Sequence, residues 1–315
     1  MAPALTQALV LAAGLGTRLQ PLTLARAKPA IPVGGEPLIR RIVRWLVSHG
    51  ATKTVVNLHH LPDTITAVVG DGSDLGASIR YSWEQPTILG SAGGPRQALD
   101  IIGAGLFFIV NGDTLTDVDL GAMARAHGQS GGLVTLAVVP NREPDRYGGV
   151  RLDAGGRVAG FVRRGSPQPS YHFIGVQIAH ASAFRSLAPA TPASSIGGVY
   201  DELVRSAPGA VHGFVSEARF WDVGTPADYW ATSMAFASAA GDGSQTVAGH
   251  RARLSPSARV SRSILWDDVE VGEAASLEEC IVTDGVSVPD GAGYRRSMLV
   301  RPRGGGELIV SPLDL

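Results

Sequence analysis

The sequence contains one cysteine, Cys280, few charged residues and almost no net charge. A lone cysteine cannot form an intrachain disulfide or a site with several thiolate ligands, which fits a reducing compartment. The 27 Lys and Arg residues nearly balance the 28 Asp and Glu residues, so no overall field attracts nucleic acid or an anionic membrane. Hydrophobic residues make up 44% of the chain, which excludes the low-hydrophobicity class of disordered proteins.

Long hydrophobic runs are also missing from the sequence. No run reaches the roughly 18 residues that a membrane span needs, and the apolar run from Ala8 to Ala13 has no basic residue before it, as a secretory signal would. We therefore expect a cytoplasmic protein without a membrane partner. The 315 residues suffice for one domain of about 200 to 250 residues and an appendage, or for two domains.

Short apolar strands alternate with helices in the first part of the chain. The pattern predicts strands from Gln7 and over 54–58, 79–83 and 106–110, with helices from Pro37, from Pro62 and over 94–102. This alternation predicts an α/β fold with a doubly wound, mainly parallel sheet, whose ligands lie outside the carboxyl ends of the strands. After about Gly148 the predicted strands are shorter, which indicates a mixed extension of the sheet.

A change of composition divides the C-terminal part from the rest. A helix is predicted from Pro226 to about Ala239, and the Gly- and Ser-rich stretch at 238–246 indicates a linker. We therefore predict a main domain over 1–240 and a β appendage over 241–315. Apolar residues recur in the appendage in an irregular echo of the six-residue repeat of a left-handed parallel β-helix. A small irregular β structure is the alternative.

The loop LAAGLGTRL, from Leu11 to Leu19, ends the first predicted strand. It lacks the third glycine of a dinucleotide fingerprint, where Leu19 stands, and it lacks the Gly-Lys pair of a Walker loop. What remains is a set of backbone N–H groups with two nearby cations, Arg18 and Lys28, which is suited to polyphosphate. Taken alone, the loop could equally be a simple glycine turn with a surface arginine.

Two aspartates follow predicted strands and so reach the same edge of the sheet. Asp113 follows the apolar strand that ends at Val110, and Asp222 follows a short strand in ARFWDVGTPADY. Two carboxylates with substrate phosphate oxygens are the usual ligands of Mg²⁺. We therefore predict a magnesium site at Asp113 and Asp222, with turn capping as the alternative for either residue alone.

Together these motifs resemble the sugar-1-phosphate nucleotidylyltransferases, or nucleotide-sugar pyrophosphorylases. LAAGLGTRLQPLT with AKPAIPV resembles the family signature, and NGD at 111–113 and WDVGTP at 221–226 resemble its two metal-binding motifs. The match covers about residues 7 to 236, and the C-terminal segment is similar to the appendage of mannose-1-phosphate guanylyltransferase-like members. The resemblance implies a Rossmann-like nucleotidyltransferase fold and transfer of a nucleoside monophosphate from an NTP to a sugar 1-phosphate, with release of pyrophosphate.

The resemblance also implies roles for individual residues. Arg18, Lys28 and Asp113 would be catalytic, and Asp113 and Asp222 would hold Mg²⁺. The implied nucleotide-binding residues are Leu11, Ala13, Gly14, Gly16, Thr17, Glu84, Gln85, Gly90 and Ser91. The implied sugar-phosphate-binding residues are Tyr147, Gly148, Arg163, Arg164 and Gly175, with Arg163 or Arg164 in place of the lysine that many relatives carry.

Several alternatives remain open at this point. The resemblance favours GTP and mannose 1-phosphate, but a uridylyl or thymidylyl transferase acting on another hexose or amino-sugar 1-phosphate is equally compatible with the residues. Asp117 and Asp119 form the DxD of many glycosyltransferases, although Asp119 also stands where a helix N-cap is expected. A regulatory subunit that only binds a nucleotide-sugar is a third class. The appendage could join copies of the chain into a homo-oligomer.

Overall fold

The computed structural model describes residues 5–239 and 246–315. These residues form two compact units. The first unit comprises the described residues of 1–14 together with 42–60 and 69–220, and the second comprises 15–41, 61–68 and the described residues of 221–315. The predicted linker at 238–246 lies almost wholly outside the described residues, so the division at residue 240 stays a prediction. Among the described helices, none is both long and apolar enough to span a bilayer.

Strands and helices alternate up to Ser130, as the sequence predicts. The helices are α1 Leu38–Ser48, α2 Pro62–Val69, α3 Gly90–Ile102, α4 Leu120–Ser130, α5 Tyr200–Ser206 and α6 Pro226–Ala239. The strands up to α6 are β1 Gln7–Leu11, β2 Pro32–Val33, β3 Glu36–Pro37, β4 Lys53–Leu58, β5 Ser78–Trp83, β6 Leu106–Asn111, β7 Thr114–Thr116, β8 Val134–Pro140, β9 Gly149–Leu152, β10 Val158–Val162, β11 Tyr171–His180, β12 Val211–Val215 and β13 Phe220–Asp222.

The first unit is built on a nine-stranded mixed sheet. β1 lies at its centre and pairs in parallel with β4 and β6, and β4 pairs in parallel with β5. β11 runs antiparallel to β6 and to β8, and β9 and β10 complete an antiparallel extension. The predicted Rossmann-like mixed sheet is therefore confirmed, and β1 and β6 end at one edge.

Apolar spacing explains α1, whereas tertiary packing explains the start of α3. In α1 the residues Leu38, Ile42 and Leu46 recur every four positions and are at most 1% exposed. The prediction that α3 begins at Gly94 is wrong by four residues, because Gly90 already opens the helix. The amides of Ala92 and Gly93 share the Ala193 carbonyl, so the neighbouring segment stabilises a glycine-rich turn that propensity disfavours.

The C-terminal part of the second unit is a parallel β-helix. Its strands are β14 Val247–Ala248, β15 Arg253–Leu254, β16 Arg259–Ser261, β17 Ile264–Leu265, β18 Glu270–Val271, β19 Ser276–Glu278, β20 Ile281–Val282, β21 Ser287–Val288, β22 Gly293–Arg295, β23 Ser297–Val300 and β24 Ile309–Pro312. They form three sheets in which each coil pairs in parallel with the next, 17 residues later. β24 alone runs antiparallel and closes one sheet. The predicted β-helical appendage is confirmed.

Candidate functional site

The glycine loop after β1 folds back on itself within the second unit. Gly16 has a left-handed φ of 62°, and a Cβ placed on it would lie 2.7 Å from Thr23 Cγ2 and 3.3 Å from Lys28 Cβ. The Thr23 hydroxyl donates to the Gly16 carbonyl at 3.1 Å. Only glycine suits both the conformation and the space. The loop therefore places Gly16 against Lys28, whose side chain is only 8% exposed.

Arg18 and Asp222 lie beside each other at a second glycine. A Cβ placed on Gly224 would lie 3.2 Å from Arg18 Nη1 and 3.0 Å from Asp222 Oδ2. Arg18 is exposed and Asp222 is half-buried at the end of β13. Thr225 and Asp228 then form a reciprocal cap at the start of α6, which fixes the turn that carries Asp222. The second unit thus brings together Lys28 with Gly16, and Arg18 with Asp222.

Asp113 lies two residues after β6 in the first unit. Asn111 is paired with Leu11, and the Gly112 amide donates to the Leu11 carbonyl at 2.9 Å. The Asp113 carboxylate therefore follows directly on the strand that lies beside β1, as predicted. Gly175, with φ 78°, packs against the same loop, because a Cβ on it would lie 2.9 Å from Asn111 Nδ2. Leu11, Asp113 and Gly175 accordingly meet at one edge of the sheet.

A buried polar network joins the ends of three neighbouring strands. Asn57 Oδ1 accepts from the Ala12 amide at 2.5 Å, and Asn57 Nδ2 donates to Glu84 Oε1 at 2.6 Å. Glu84 Oε2 accepts from the Leu89 amide at 2.6 Å. Glu84 is 1% exposed, so both of its oxygens are used inside the protein. The network fixes the backbone on both sides of the predicted nucleotide site, at Ala12 and at Leu89.

The segment with the predicted base-binding residues Gly90 and Ser91 forms the first turn of α3. A Cβ on Gly90 would lie 2.9 Å from the Ala193 carbonyl oxygen, and the Ser91 hydroxyl accepts from the Ser195 amide at 2.9 Å. The alternative role of Ser91 as a helix cap is wrong, because Leu89 is the N-cap residue and no side chain caps the helix. Gln85, in contrast, is exposed.

Of the predicted sugar-binding residues, Tyr147 belongs to an aromatic cluster of the first unit. The ring of His172 lies 4.0 Å from that of Tyr147 and 5.0 Å from that of Phe220, measured between centroids. A Cβ on Gly148 would lie 3.1 Å from the Val162 carbonyl oxygen and 3.9 Å from the Arg164 amide nitrogen. The side chains of Arg163 and Arg164 are exposed. The turn at 147–148 and the backbone at 162–164 therefore meet, as a shared site requires.

A cavity of about 310 Å³ opens beside this cluster. Its walls combine the three rings with charged side chains, and no sequence motif pointed to His172 or Phe220. Successive side chains of β11 point to opposite faces of the sheet, so His172 lies on the face opposite Phe173. This alternation is the only sequence signal for the position of His172. The cavity is lined by Val139, Pro140, Asn141, Arg142, Glu143, Tyr147, His172, Glu217, Ala218, Arg219 and Phe220.

Burial lowers the pKa of His172, a backbone hydrogen bond to Gly148 partly opposes this, and the positive charge of Arg146 adds to the lowering, so that the pKa lies at about 4. Above pH 6.5 the imidazole is neutral in both the folded and the unfolded chain. Between pH 6.5 and 4 the unfolded chain binds a proton that the folded protein does not, so stability is lost as the pH falls.

We expect the His172→Phe variant to lose less stability than the wild type over this pH range. From pH 7 to pH 4, the free energy of unfolding of the wild type should fall by up to about 3 kcal/mol more than that of the variant. Denaturant titrations at several pH values measure it, with His250→Asn, an exposed histidine, as the matched control. Equal pH dependence in wild type and His172→Phe would contradict the prediction.

The two aspartates of the DxD are both engaged elsewhere. Asp117 Oδ2 pairs with Arg219 Nε at 2.7 Å, and its other oxygen accepts from the Arg219 amide. Asp119 caps α4 by accepting from the Ala122 amide at 2.9 Å. The helix-cap expectation for Asp119 is therefore confirmed, and the structure gives no support to a metal-binding DxD.

Asp113 and Asp222, the two residues predicted to hold Mg²⁺, each fit it by the chemistry of their donors. Within residues 5–239 and 246–315, no group of three or more His, Cys, Asp or Glu side chains is arranged to hold a metal ion. Mg²⁺ does not require one, because it keeps several waters and is usually held by one or two carboxylates and substrate phosphates. Asp113, two residues after β6, and Asp222, the last residue of β13, are carboxylates of this kind.

The chain is similar to several characterised proteins. Mannose-1-phosphate guanylyltransferase of Mycobacterium tuberculosis is 27% identical over 306 residues, which cover 94% of this chain and 85% of that protein. N-acetylmuramate alpha-1-phosphate uridylyltransferase of Neisseria meningitidis is 44% identical over 116 residues, 37% of this chain and 50% of that protein. UTP--glucose-1-phosphate uridylyltransferase of Synechocystis is 32% identical over 170 residues, 50% of this chain and 44% of that protein. The chain thus spans about half the length of the last two.

Solved structures and family sequence models agree with this similarity. HddC from Yersinia pseudotuberculosis superposes with a TM-score of 0.64 at 22% identity, covering 74% of this chain and 100% of that one, which shows a shared fold. The GlmU-like C-terminal hexapeptide model matches residues 233–294. The nucleotidyl transferase model matches residues 7–239, which is most of the chain. The protein therefore belongs to the nucleotidyl transferase family.

Proposed function

We propose that the protein transfers a nucleoside monophosphate from an NTP to a sugar 1-phosphate, giving an NDP-sugar and pyrophosphate. The observation that carries the proposal is that Arg18 and Asp222 both lie against Gly224, in the unit that also folds Gly16 onto Lys28. A cation and the amides of a glycine turn suit a polyphosphate, and a carboxylate suits the Mg²⁺ that would accompany it. The relatives named above supply the reaction class, since each is named as a nucleotidyl transferase acting on a sugar 1-phosphate.

In the proposed reaction a phosphate oxygen of the sugar 1-phosphate attacks the α-phosphorus of the NTP, and the bond to pyrophosphate breaks. Backbone amides of residues 14–17 bind the triphosphate, Arg18 neutralises the departing pyrophosphate, and Lys28 neutralises charge at the α-phosphate. Mg²⁺, held by Asp113 and Asp222, would neutralise charge at the phosphorus centre when bound. Catalysis then consists of positioning and charge neutralisation, without a covalent enzyme intermediate.

For the acceptor, we propose that the sugar lies against the turn at 147–148 and the cavity beside it. The rings of Tyr147, His172 and Phe220 give an apolar surface for a sugar face, and the charged rim offers hydrogen-bonding groups. Gly175 leaves the Asn111 side chain room at the same edge. Arg163 or Arg164 would bind the acceptor phosphate.

GTP and mannose 1-phosphate are the first substrate pair to test. The guanylyltransferase of M. tuberculosis aligns over most of both chains, including the β-helix. UTP with N-acetylmuramate 1-phosphate is the second pair, because the identity to the N. meningitidis uridylyltransferase is higher over a shorter stretch. A cytoplasmic location and a homo-oligomer formed through the β-helix stay predictions.

The deciding experiment incubates the protein with Mg²⁺, each NTP and a panel of sugar 1-phosphates, and follows pyrophosphate release. We expect release with one base and a narrow set of sugars, and no release when the sugar 1-phosphate is omitted. A parallel series without added Mg²⁺ tests the metal requirement. Tight binding of a nucleotide-sugar without any pyrophosphate release across the panel would favour the regulatory alternative instead.

A further inference from the structure

Arg26 lies two residues before Lys28 and reaches into the β-helix. Its Nε donates to Asp284 Oδ2 at 2.7 Å, and its Nη2 lies 2.7 Å from Asp284 Oδ1 and 2.5 Å from Asp267 Oδ2. The guanidinium also lies over the Trp266 ring, 5.4 Å from its centroid. Only 11% of the Arg26 side chain is exposed. One cation is thus bound by carboxylates on two successive coils.

The two aspartates are themselves fixed by the coils that carry them. Asp267 Oδ1 accepts from the His250 amide at 2.7 Å, and Asp284 Oδ1 accepts from the Asp267 amide at 3.1 Å. Stacked carboxylates repel each other, so a shared cation is needed to stabilise them together. Arg26 supplies that cation with a planar, two-pronged geometry that a lysine cannot reproduce.

The anchoring of Arg26 extends to the neighbouring segment. Its Nη1 donates to the Ala30 carbonyl at 3.4 Å, which spans the short 3₁₀ turn Lys28–Ala30. The Ala27 amide donates to Thr64 Oγ1 at 3.1 Å. The backbone on either side of Lys28 is therefore held by contacts that the Lys28 side chain does not make.

We propose that Arg26 is a positioning residue, through which Asp267 and Asp284 of the β-helix hold Lys28 in its catalytic place. This rests on the proposed function, in which Lys28 neutralises charge at the α-phosphate. The β-helix is then part of the catalytic apparatus, because its coils set the geometry of a loop in the N-terminal part of the sequence. Catalysis is sensitive to such geometry, since a misplacement of about 1 Å costs up to about 100-fold in rate.

The β-helix also provides a matched control. Arg251 and Asp268 form another two-pronged pair between coils, with 2.5 Å and 2.6 Å contacts and the same 17-residue offset as other coil neighbours. Both side chains are largely exposed, at 67% and 49%, and neither contacts the loop of Lys28 in the described residues. Asp268→Asn therefore removes an exposed ion pair between coils while both carboxylates that bind Arg26 stay in place.

The test compares Asp284→Asn, Arg26→Lys and Asp268→Asn with the wild type in two measurements. We expect Asp284→Asn to lower kcat about 10- to 100-fold with the KM for the sugar 1-phosphate nearly unchanged. Arg26→Lys keeps the positive charge but loses the two-pronged geometry, and we expect a smaller loss of kcat than in Asp284→Asn. Hydrogen exchange of the backbone amides of residues 27, 28, 30 and 31 should be faster in Asp284→Asn, whereas Asp268→Asn should match the wild type in both measurements.

Wild-type kcat in both Asp284→Asn and Arg26→Lys would overturn the proposal, as would equal losses in the Asp268→Asn control. Unchanged hydrogen exchange at 27–31 in Asp284→Asn would overturn the anchoring whatever the activity. The proposed function fails separately, by the absence of pyrophosphate release in the wild type. The two failures are therefore distinguishable, because the exchange measurement needs no substrate.

Discussion

Replacing Asp113 with asparagine should lower kcat for pyrophosphate release at least about 100-fold, equivalent to about 3 kcal/mol of transition-state stabilisation. Asparagine keeps the size of the side chain and can accept the Thr114 hydroxyl hydrogen bond, which is 3.4 Å long in the wild type. What is lost is the negative charge that would bind Mg²⁺. Steady-state kinetics over a range of Mg²⁺ concentrations measure the effect.

The change should also raise the Mg²⁺ concentration needed for half-maximal rate. Asp100→Asn, an exposed aspartate in α3, is the control and should have wild-type kinetics. Thermal unfolding of Asp113→Asn should stay close to the wild type, since Asp113 is only half-buried at its loop. Full activity in Asp113→Asn would remove this residue from the metal site, whereas lost activity with an unfolded protein would require the test on Asp222→Asn.

Replacing Glu84 with alanine should destabilise the protein by about 3 kcal/mol or more. The change leaves the Asn57 amide and the Leu89 N–H group without their acceptor inside the protein, and each buried unsatisfied group costs about 1 to 3 kcal/mol. The removed side chain, which is 1% exposed, also leaves a cavity. Denaturant unfolding measures the loss, with the exposed residue in Glu217→Ala as control.

Glu84→Gln separates charge from shape. Its amide NH₂ group must face either Asn57 Nδ2 or the Leu89 amide, both of which donate, so one hydrogen bond becomes a contact between donors. We expect a destabilisation smaller than that of Glu84→Ala, together with a higher KM for the NTP. Stability equal to the wild type in both variants would show that water replaces the carboxylate.

The sequence alone predicts most of the sheet because its strands are short, buried and bounded by turn residues. β4, β5 and β6 lie within one residue of their predicted bounds, and Asp113 follows β6 as expected. The start of α3 was not predictable in the same way, because a glycine run has low helix propensity. It forms there through contacts with residues 191–195, which are remote in the sequence.

The candidate site also divides into residues that local motifs reveal and residues that depend on remote contacts. Local motifs indicate Arg18, Lys28 and the aspartates, since each lies in a short pattern of turn and strand residues. The roles of Asn57, His172 and Arg26 depend on partners far along the chain, so no local pattern reveals them. The sequence does contain the 17-residue period of the β-helix coils, because Val260, Ile264 and Val269 each have an apolar residue 17 positions later. The six-residue repeat of a left-handed β-helix does not divide 17 evenly, so comparison with that repeat does not reveal the period.

The second unit combines segments that are remote in the sequence, which has a consequence for synthesis on the ribosome. Arg26 and Asp284 are separated by 258 positions, so the early loop cannot complete its contacts until nearly the whole polypeptide has been made. Native contacts between remote segments slow folding. The segment at 15–41, which belongs to the same unit as the β-helix, therefore completes its native contacts late, and we expect nascent chains of this protein to depend on chaperones.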